Sequence, residues 1–199
     1  MEKNGLKKDS YDNIKKKNST KYLEIGCFDA ELFNYVECDY KVGVDPVSGG
    51  NVRKTSDQFF NENKDYFDCI FIYGLHTYSQ VKKDIENSIK FLDKGGIILL
   101  HDCLPNNYYE QAIPRCQWVW NGDVWKAIVE CRNLKDIDVY TCYADFGIGV
   151  IFKRPNKNLL DFFQMKLIQM LVYQLKIINL IKLIYQNQMV PLLNKFFLF

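Results

Sequence analysis

The chain has 199 residues, 48% of them hydrophobic and 25% charged, enough for one well-buried domain and short for two. The net charge of +2 conceals a division: residues 1–21 and 157–199 each carry +4, while 22–156 carry −6. An acidic body is a poor nucleic-acid platform, because phosphate contacts need clustered Lys and Arg. Seven cysteines without a CxxC pair argue against a zinc site or a disulfide framework and for a reducing cytosol. The lysine-rich N-terminus has no apolar segment behind it, so no secretory signal is expected.

Residues 1–20 are polar and without periodicity, and read as a loose lead-in. A strand over 22–26 ends in Gly26, a short helix covers 31–36, and KVGVD makes a second strand ending at Asp45. Pro46 and Gly49–Gly50 mark a loop. A short strand near 52–54 follows, then a helix from Ser56 with Phe59 and Phe60 facing inward.

Next comes an apolar run over 67–73 bounded by Gly74. Val81, Ile85, Ile89 and Leu92 then form the stripe of an amphipathic helix. After Gly95–Gly96 a second apolar run covers 97–100. Strand, helix, glycine turn and strand make a βαβ unit whose strands lie buried in a parallel sheet. Beyond an irregular aromatic segment over 103–122, a helix is expected near 123–131 and two strands at 137–142 and 147–152.

The segment 155–199 has a broad apolar face, and its uncharged stretches fall short of the roughly 20 residues a membrane span needs. It reads as an amphipathic helical tail that packs on the body or pairs with another subunit. The alternative is a helix lying in a membrane interface, where lysines and aromatic residues are accommodated. The expected location is the cytoplasm, with the inner membrane face as the surface such a tail would meet.

Ligands of open α/β sheets bind outside the carboxyl ends of the strands. The only two histidines, His76 and His101, fall at such ends, and Asp102 follows the second. At the first strand end, Gly26 permits a tight turn beside a bound nucleotide. Asp45, 19 residues on, is placed for ribose hydroxyls. A dinucleotide fingerprint would need glycines where Phe28 and Glu31 stand, and Glu24 before the turn suits a cationic ligand. A plain strand-turn-helix accounts for the same residues, so that alternative stays open here.

The segments YLEIGCFDA, VGVDP, TSDQFF, FIYGLHTYSQVKKDIENSIKFLDKGG, IILLHDCLP, NGDVWKA and DFGIGVI occur in order between residues 22 and 152. Together they resemble the class I S-adenosylmethionine-dependent methyltransferases, in particular a small bacterial group associated with surface-polysaccharide and glycan biosynthesis. The resemblance implies a Rossmann-like α/β domain over 21–154. Its seven-stranded, mostly parallel sheet would have an antiparallel last strand and helices on both faces. It implies S-adenosylmethionine as cofactor, with Glu24, Gly26 and Cys27 lining its methionine side, Asp45 its ribose, and Ser56 and Asp57 flanking adenine.

Because the sulfonium methyl is already electrophilic, the protein's task is to align an acceptor and remove its proton. His76 is the candidate base, with His101 and Asp102 as orienting residues or substitutes. The expected acceptor is an oxygen of a sugar or glycan precursor. Tyr108, Tyr109, Trp118, Trp120 and Trp125 would shape its pocket or else serve ordinary packing.

Metal-dependent relatives hold magnesium with an aspartate where Tyr73 stands and with a carboxylate–carboxylate or carboxylate–amide pair where this chain has Asp102 and Cys103. Since magnesium demands hard oxygen ligands, no metal site is assigned. Two other functions compete: a catalytically degenerate S-adenosylmethionine-binding or scaffold protein, suggested by Tyr73, and a nucleotide-cofactor oxidoreductase, disfavoured by the missing glycines.

Overall fold

A computed structural model describes residues 21–160, and the lead-in over 1–20 and the tail from 161 onward lie outside the described residues. The element order is β1 (Lys21–Ile25), α1 (Glu31–Tyr35), β2 (Tyr40–Val44), α2 (Ser56–Glu62), β3 (Phe67–Ile72), α3 (Tyr78–Lys90), β4 (Leu92–Leu100), α4 (Trp125–Cys131), β5 (Asp138–Cys142) and β6 (Ile148–Phe152). The strands form one six-stranded sheet in the order β2-β1-β3-β4-β6-β5. β1 pairs parallel with β2 and β3, and β3 with β4, whereas β6 runs antiparallel to both β4 and β5.

Alternation along the strands supplies two cores. Leu23, Ile25, Ile70, Ile72, Ile98 and Leu100 face Phe59 and Phe60 of α2, Val81 and Ile85 of α3, and Ala127 and Ile128 of α4. Their neighbours Tyr22, Cys69, Phe71, Ile97 and Leu99 face the other way, toward Phe33 of α1 and Val36. A strand whose alternate residues feed different cores is buried on both faces, which explains the uninterrupted apolar runs of β3 and β4. Helices therefore lie on both faces, as expected.

The expected seventh strand near 52–54 is corrected to a single parallel bridge between Val44 and Val52. There is no length for more. Gly49 and Gly50, both at positive φ, turn the chain back, and Thr55 already caps α2 through a capping box with Gln58. A second difference concerns Leu92, which belongs to β4 rather than to the helical stripe. α3 ends at Lys90, Leu92 pairs with Phe67, and the register then shifts before Cys69 pairs with Ile97. Gly95, at φ 78, sits in this shifted stretch.

This topology sets the location of the chemistry. The carboxyl ends of β1, β2, β3 and β4 emerge on one sheet edge. Because β6 runs the other way, with Leu100 opposite Gly149, the loop leading into it returns to that same edge. No described helix is long and apolar enough to cross a membrane.

Candidate active site

The first half of the edge is built around Gly26. Its φ is 86, and its N–H donates to the Val44 carbonyl at 2.8 Å, while Tyr73 N–H donates to Ile25 O at 2.8 Å. A Cβ on Gly26 would stand 2.4 Å from the Tyr73 carbonyl oxygen and 2.5 Å from Gly74 Cα. Only glycine lets the turn after β1 lie directly on the turn after β3.

Asp45, just past β2, is buried and fastens the neighbouring loops. Its Oδ1 accepts from Val47 N–H at 2.8 Å and Ser48 N–H at 2.9 Å, and its Oδ2 from Phe28 N–H at 3.1 Å. Burial alone would raise its pKa, but these backbone donors outweigh it and hold the carboxyl below its ordinary value.

Glu24 is buried beneath the turn, with Tyr22 Oη donating to its Oε2 at 2.6 Å. Burial pushes its pKa up to about 7, against the lowering effect of that hydrogen bond. Cys27 points its thiol into packing: a Cβ at Gly43 would meet Sγ at 2.8 Å and one at Gly50 at 2.9 Å.

Ser56 and Asp57 start α2 and meet α3 through Gln80, whose Nε2 lies 3.2 Å from Ser56 Oγ, 3.1 Å from Asp57 Oδ1 and 3.1 Å from Asp84 Oδ1. Asp84 is buried on the inner face of α3 below Gly74, and burial raises it to about 6. It is not among the sequence candidates, although its spacing from Val81 places it inward.

The second half of the edge brings the three catalytic candidates together. His76 Nδ1 donates to the Trp120 carbonyl at 3.0 Å and lies 3.3 Å from Asp102 Oδ2. A carbonyl only accepts, so Nδ1 carries the hydrogen and Nε2 keeps its lone pair. The ring stacks on Trp120, with centroids 5.4 Å apart. The segment that supplies Trp120 is pinned in place, since Tyr78 N–H donates to Asp123 Oδ1 at 2.6 Å, a cap on α3 from a distant residue. Gly122 lies against the His76 carbonyl, where a Cβ would collide.

His101 is buried between two carboxylates. Its Nε2 lies 2.9 Å from Asp145 Oδ2 and its Nδ1 lies 3.2 Å from Asp102 Oδ1, the latter a charge contact without hydrogen-bond alignment. Burial would lower its pKa, but Asp102 and Asp145 reverse that and raise it to about 9. It is therefore a cation at neutral pH and not a base. Asp102, at φ 65, also accepts from Asn121 Nδ2. Tyr73 sets its ring edge-on to His101 at 4.5 Å, and burial with the charges of Asp102 and Asp145 pushes its hydroxyl up to about 12.

Asp145 and Asn121 were not among the sequence candidates. Both reach Asp102 and His101 only through long-range folding, although the DFGIGVI segment already contained Asp145. Of the aromatic residues, Trp120 joins the site and Trp125 is buried on α4, its Nε1 donating to Gln111 Oε1 at 2.8 Å. Tyr108, Tyr109 and Trp118 are exposed.

This geometry can be set beside known proteins. Residues 22–103 match the profile of a family described as a methyltransferase domain. Over that stretch the chain is similar to this family, and its fold is the Rossmann-like α/β methyltransferase fold. Its fold is similar to that of the O-methyltransferase from Bacillus cereus in complex with S-adenosylhomocysteine (13% identity, 72% of this chain and 77% of that one, TM-score 0.51). It is also similar to the O-methyltransferase TomG from Streptomyces achromogenes, involved in tomaymycin synthesis and in complex with S-adenosylmethionine (10%, 72% and 77%, TM-score 0.52). The N-methyltransferase NodS from Bradyrhizobium japonicum shares the fold as well (16%, 79% and 100%, TM-score 0.50). No curated protein matches the chain in sequence.

The residues at this edge fit S-adenosylmethionine as donor: the turn at Gly26 admits no side chain, and the Asp45 carboxylate sits beside it. The donor set for a divalent cation is poor by contrast. Tyr73 is held as a neutral phenol and Cys103 as a buried neutral thiol, leaving Asp102 as the one carboxylate at the expected positions. Among the described residues, no group of three His, Cys, Asp or Glu side chains is arranged to hold a metal ion.

Proposed function

We propose that the protein transfers the methyl group of S-adenosylmethionine to a hydroxyl oxygen of a sugar or surface-glycan precursor, with His76 as general base. The observation that carries this is the fixed orientation of His76: Nδ1 is committed to the Trp120 carbonyl and backed by Asp102, so Nε2 is the atom available to take a proton. The bound cofactor supplies a methyl carbon electrophilic enough to need no further activation. Asp45 receives the ribose hydroxyls, the turn at Gly26 and Cys27 receives the methionine end, and Ser56 and Asp57 flank the adenine. As the acceptor oxygen bonds to the methyl carbon and the sulfur–carbon bond breaks, His76 Nε2 takes the hydroxyl proton. Asp102 offsets the imidazolium charge that results.

Support for an oxygen acceptor comes from this base and from the two O-methyltransferases of similar fold, while support for a sugar comes from the exposed rings of Tyr108, Tyr109 and Trp118 beyond the strand ends. The proposal places the enzyme in the cytoplasm, with the tail making a subunit or inner-membrane contact. Flotation of the full chain with anionic liposomes, against a 1–156 truncation, separates these contacts.

The test is transfer of labelled methyl from S-adenosylmethionine to a panel of nucleotide sugars and lipid-linked glycans, with amines as controls. Label in an ether-linked methyl on a sugar is expected, and label only on nitrogen would overturn the oxygen assignment. One observation favours a second function, a donor-binding protein without turnover: Tyr73 places a neutral ring against both histidines. Donor binding without label transfer to any acceptor in the panel would favour it.

A further inference from the structure

The mechanism above uses His76 and Asp102 and leaves unexplained why a second histidine and a second carboxylate are buried behind them. Asp145 comes from the β5–β6 loop and has φ 44, in a run of three positive-φ residues with Phe146 and Gly147. Gly147 presses against Leu104 so closely that a Cβ would stand 2.5 Å from the Leu104 amide nitrogen. Leu104 N–H donates to Phe146 O at 2.6 Å and Cys103 N–H to Gly147 O at 2.9 Å. At Asp145 and Phe146 such a backbone persists only where surrounding structure enforces it. Its result is to deliver the Asp145 carboxylate to His101 Nε2 at 2.9 Å.

We infer that His101 and Asp145 are positioning residues: Asp145 holds the His101 ring so that its Nδ1 faces Asp102, which in turn orients His76. This rests on the methyltransferase function proposed above, in which His76 is the base. The order of contacts is Asp145 Oδ2 to His101 Nε2 at 2.9 Å, His101 Nδ1 to Asp102 Oδ1 at 3.2 Å, and Asp102 Oδ2 to His76 Nδ1 at 3.3 Å. Neither Asp102 Oδ2 nor His101 Nδ1 has an aligned hydrogen-bond donor or acceptor, although both are buried. What holds this part of the chain is charge. Two carboxylates flank His101 and raise its pKa to about 9. Asn121, donating to Asp102 Oδ1, keeps that carboxylate from rotating.

Removing His101 or Asp145 therefore leaves Asp102 held by Asn121 alone, and the His76 ring loses a fixed carboxylate behind it. The side chains facing the two imidazoles are Tyr73 from the end of β3, Asp102 after β4 and Asp145 before β6.

Because the chain has two histidines, imidazole NMR of the full-length protein labelled at histidine gives two titrations, assigned with a His76→Gln variant. In the wild type the His101 signal titrates at about 9. In Asp145→Asn it falls by about one to three pH units, as loss of an adjacent opposite charge requires. Asp145→Asn and His101→Gln are each expected to lose about 10–100-fold in kcat with KM for the donor unchanged, as misplacement of a reacting group does. A His101 titration unmoved in Asp145→Asn, or wild-type kcat in both variants, in a protein whose circular dichroism is native, overturns the inference. The titration needs no acceptor and no cofactor. Failure of the wild type to bind S-adenosylhomocysteine would sink the methyltransferase function without touching it.

Discussion

Gly26 and Tyr73 meet backbone to backbone: a Cβ on Gly26 would lie 2.4 Å from the Tyr73 carbonyl oxygen. That contact joins the two halves of the site, because the turn after β1 carries the donor side and the turn after β3 leads into His76. Replacing Gly26 by alanine places a side chain at φ 86 and into backbone that cannot move aside. The left-handed conformation alone costs about 1–2 kcal/mol, before any clash. Gly26→Ala is expected to lower the thermal midpoint by at least about 4 °C and to abolish binding of S-adenosylhomocysteine. Differential scanning fluorimetry with and without the ligand reads both effects. A variant with unchanged midpoint and unchanged ligand response would show that the crevice is not at this turn.

His76→Gln keeps a polar side chain of similar reach but has no titratable nitrogen. It is expected to lose about 10²–10⁴-fold in methyl transfer with affinity for S-adenosylhomocysteine unchanged, the range seen when a general base is removed. The effect should fall on kcat and not on KM. Equal turnover by the variant would assign the proton to another group.

The outline of the domain was legible in the sequence, and the reason is physical. Strands buried on both faces need unbroken apolar runs, so β3 and β4 announce themselves, and α2 and α3 carry their inward residues at helical spacing. Glycines at the strand ends marked Gly26 correctly because a backbone close approach leaves few other choices. The misses share a cause as well. Val52 was read as a strand from local pattern, but Gly49, Gly50 and the cap at Thr55 leave room for only one bridge. Asp145 and Asn121 join the site because β6 runs antiparallel beside β4 and because Asp123 caps α3. No local pattern records such neighbours. Cys27 is expected to line the methionine side, and the packing of its thiol against Gly43 and Gly50 is set by residues distant in sequence.

Glu24 links the site to the pH dependence of stability. Its carboxyl titrates at about 7 in the fold against an ordinary value of 4.5, because burial disfavours the charge. The folded state therefore holds a proton that the unfolded chain has already released across this interval. Stability falls as pH rises through it, by up to about 3 kcal/mol from this group. Asp84 acts in the same direction, but its contribution is complete by about pH 6. Glu24→Gln should flatten the decline between about pH 6 and pH 7, measured by chemical denaturation at fixed ionic strength. A slope identical to the wild type would mean that Glu24 is not the group responsible.

Metal removal should have no effect on transfer. A magnesium cage would need oxygen anions, whereas Tyr73 is a phenol pushed up to about 12 and Cys103 is a thiol that burial pushes well above its ordinary value. Treatment with EDTA followed by gel filtration is expected to leave methyl transfer at the untreated rate, with added magnesium giving no stimulation. Activity lost to the chelator and restored by a divalent cation would contradict this donor-set argument.

The most direct measurement is calorimetric titration of S-adenosylhomocysteine into the full-length protein and into Asp45→Ala. If the donor lodges at the Gly26 turn with its ribose on Asp45, the wild type binds one ligand per chain. The variant then binds at least about tenfold more weakly, since a hydrogen bond to a charged group contributes about 1.5–3 kcal/mol. NAD under the same conditions should give no binding heat. Equal affinity in wild type and variant, or no binding by the wild type, would contradict the account.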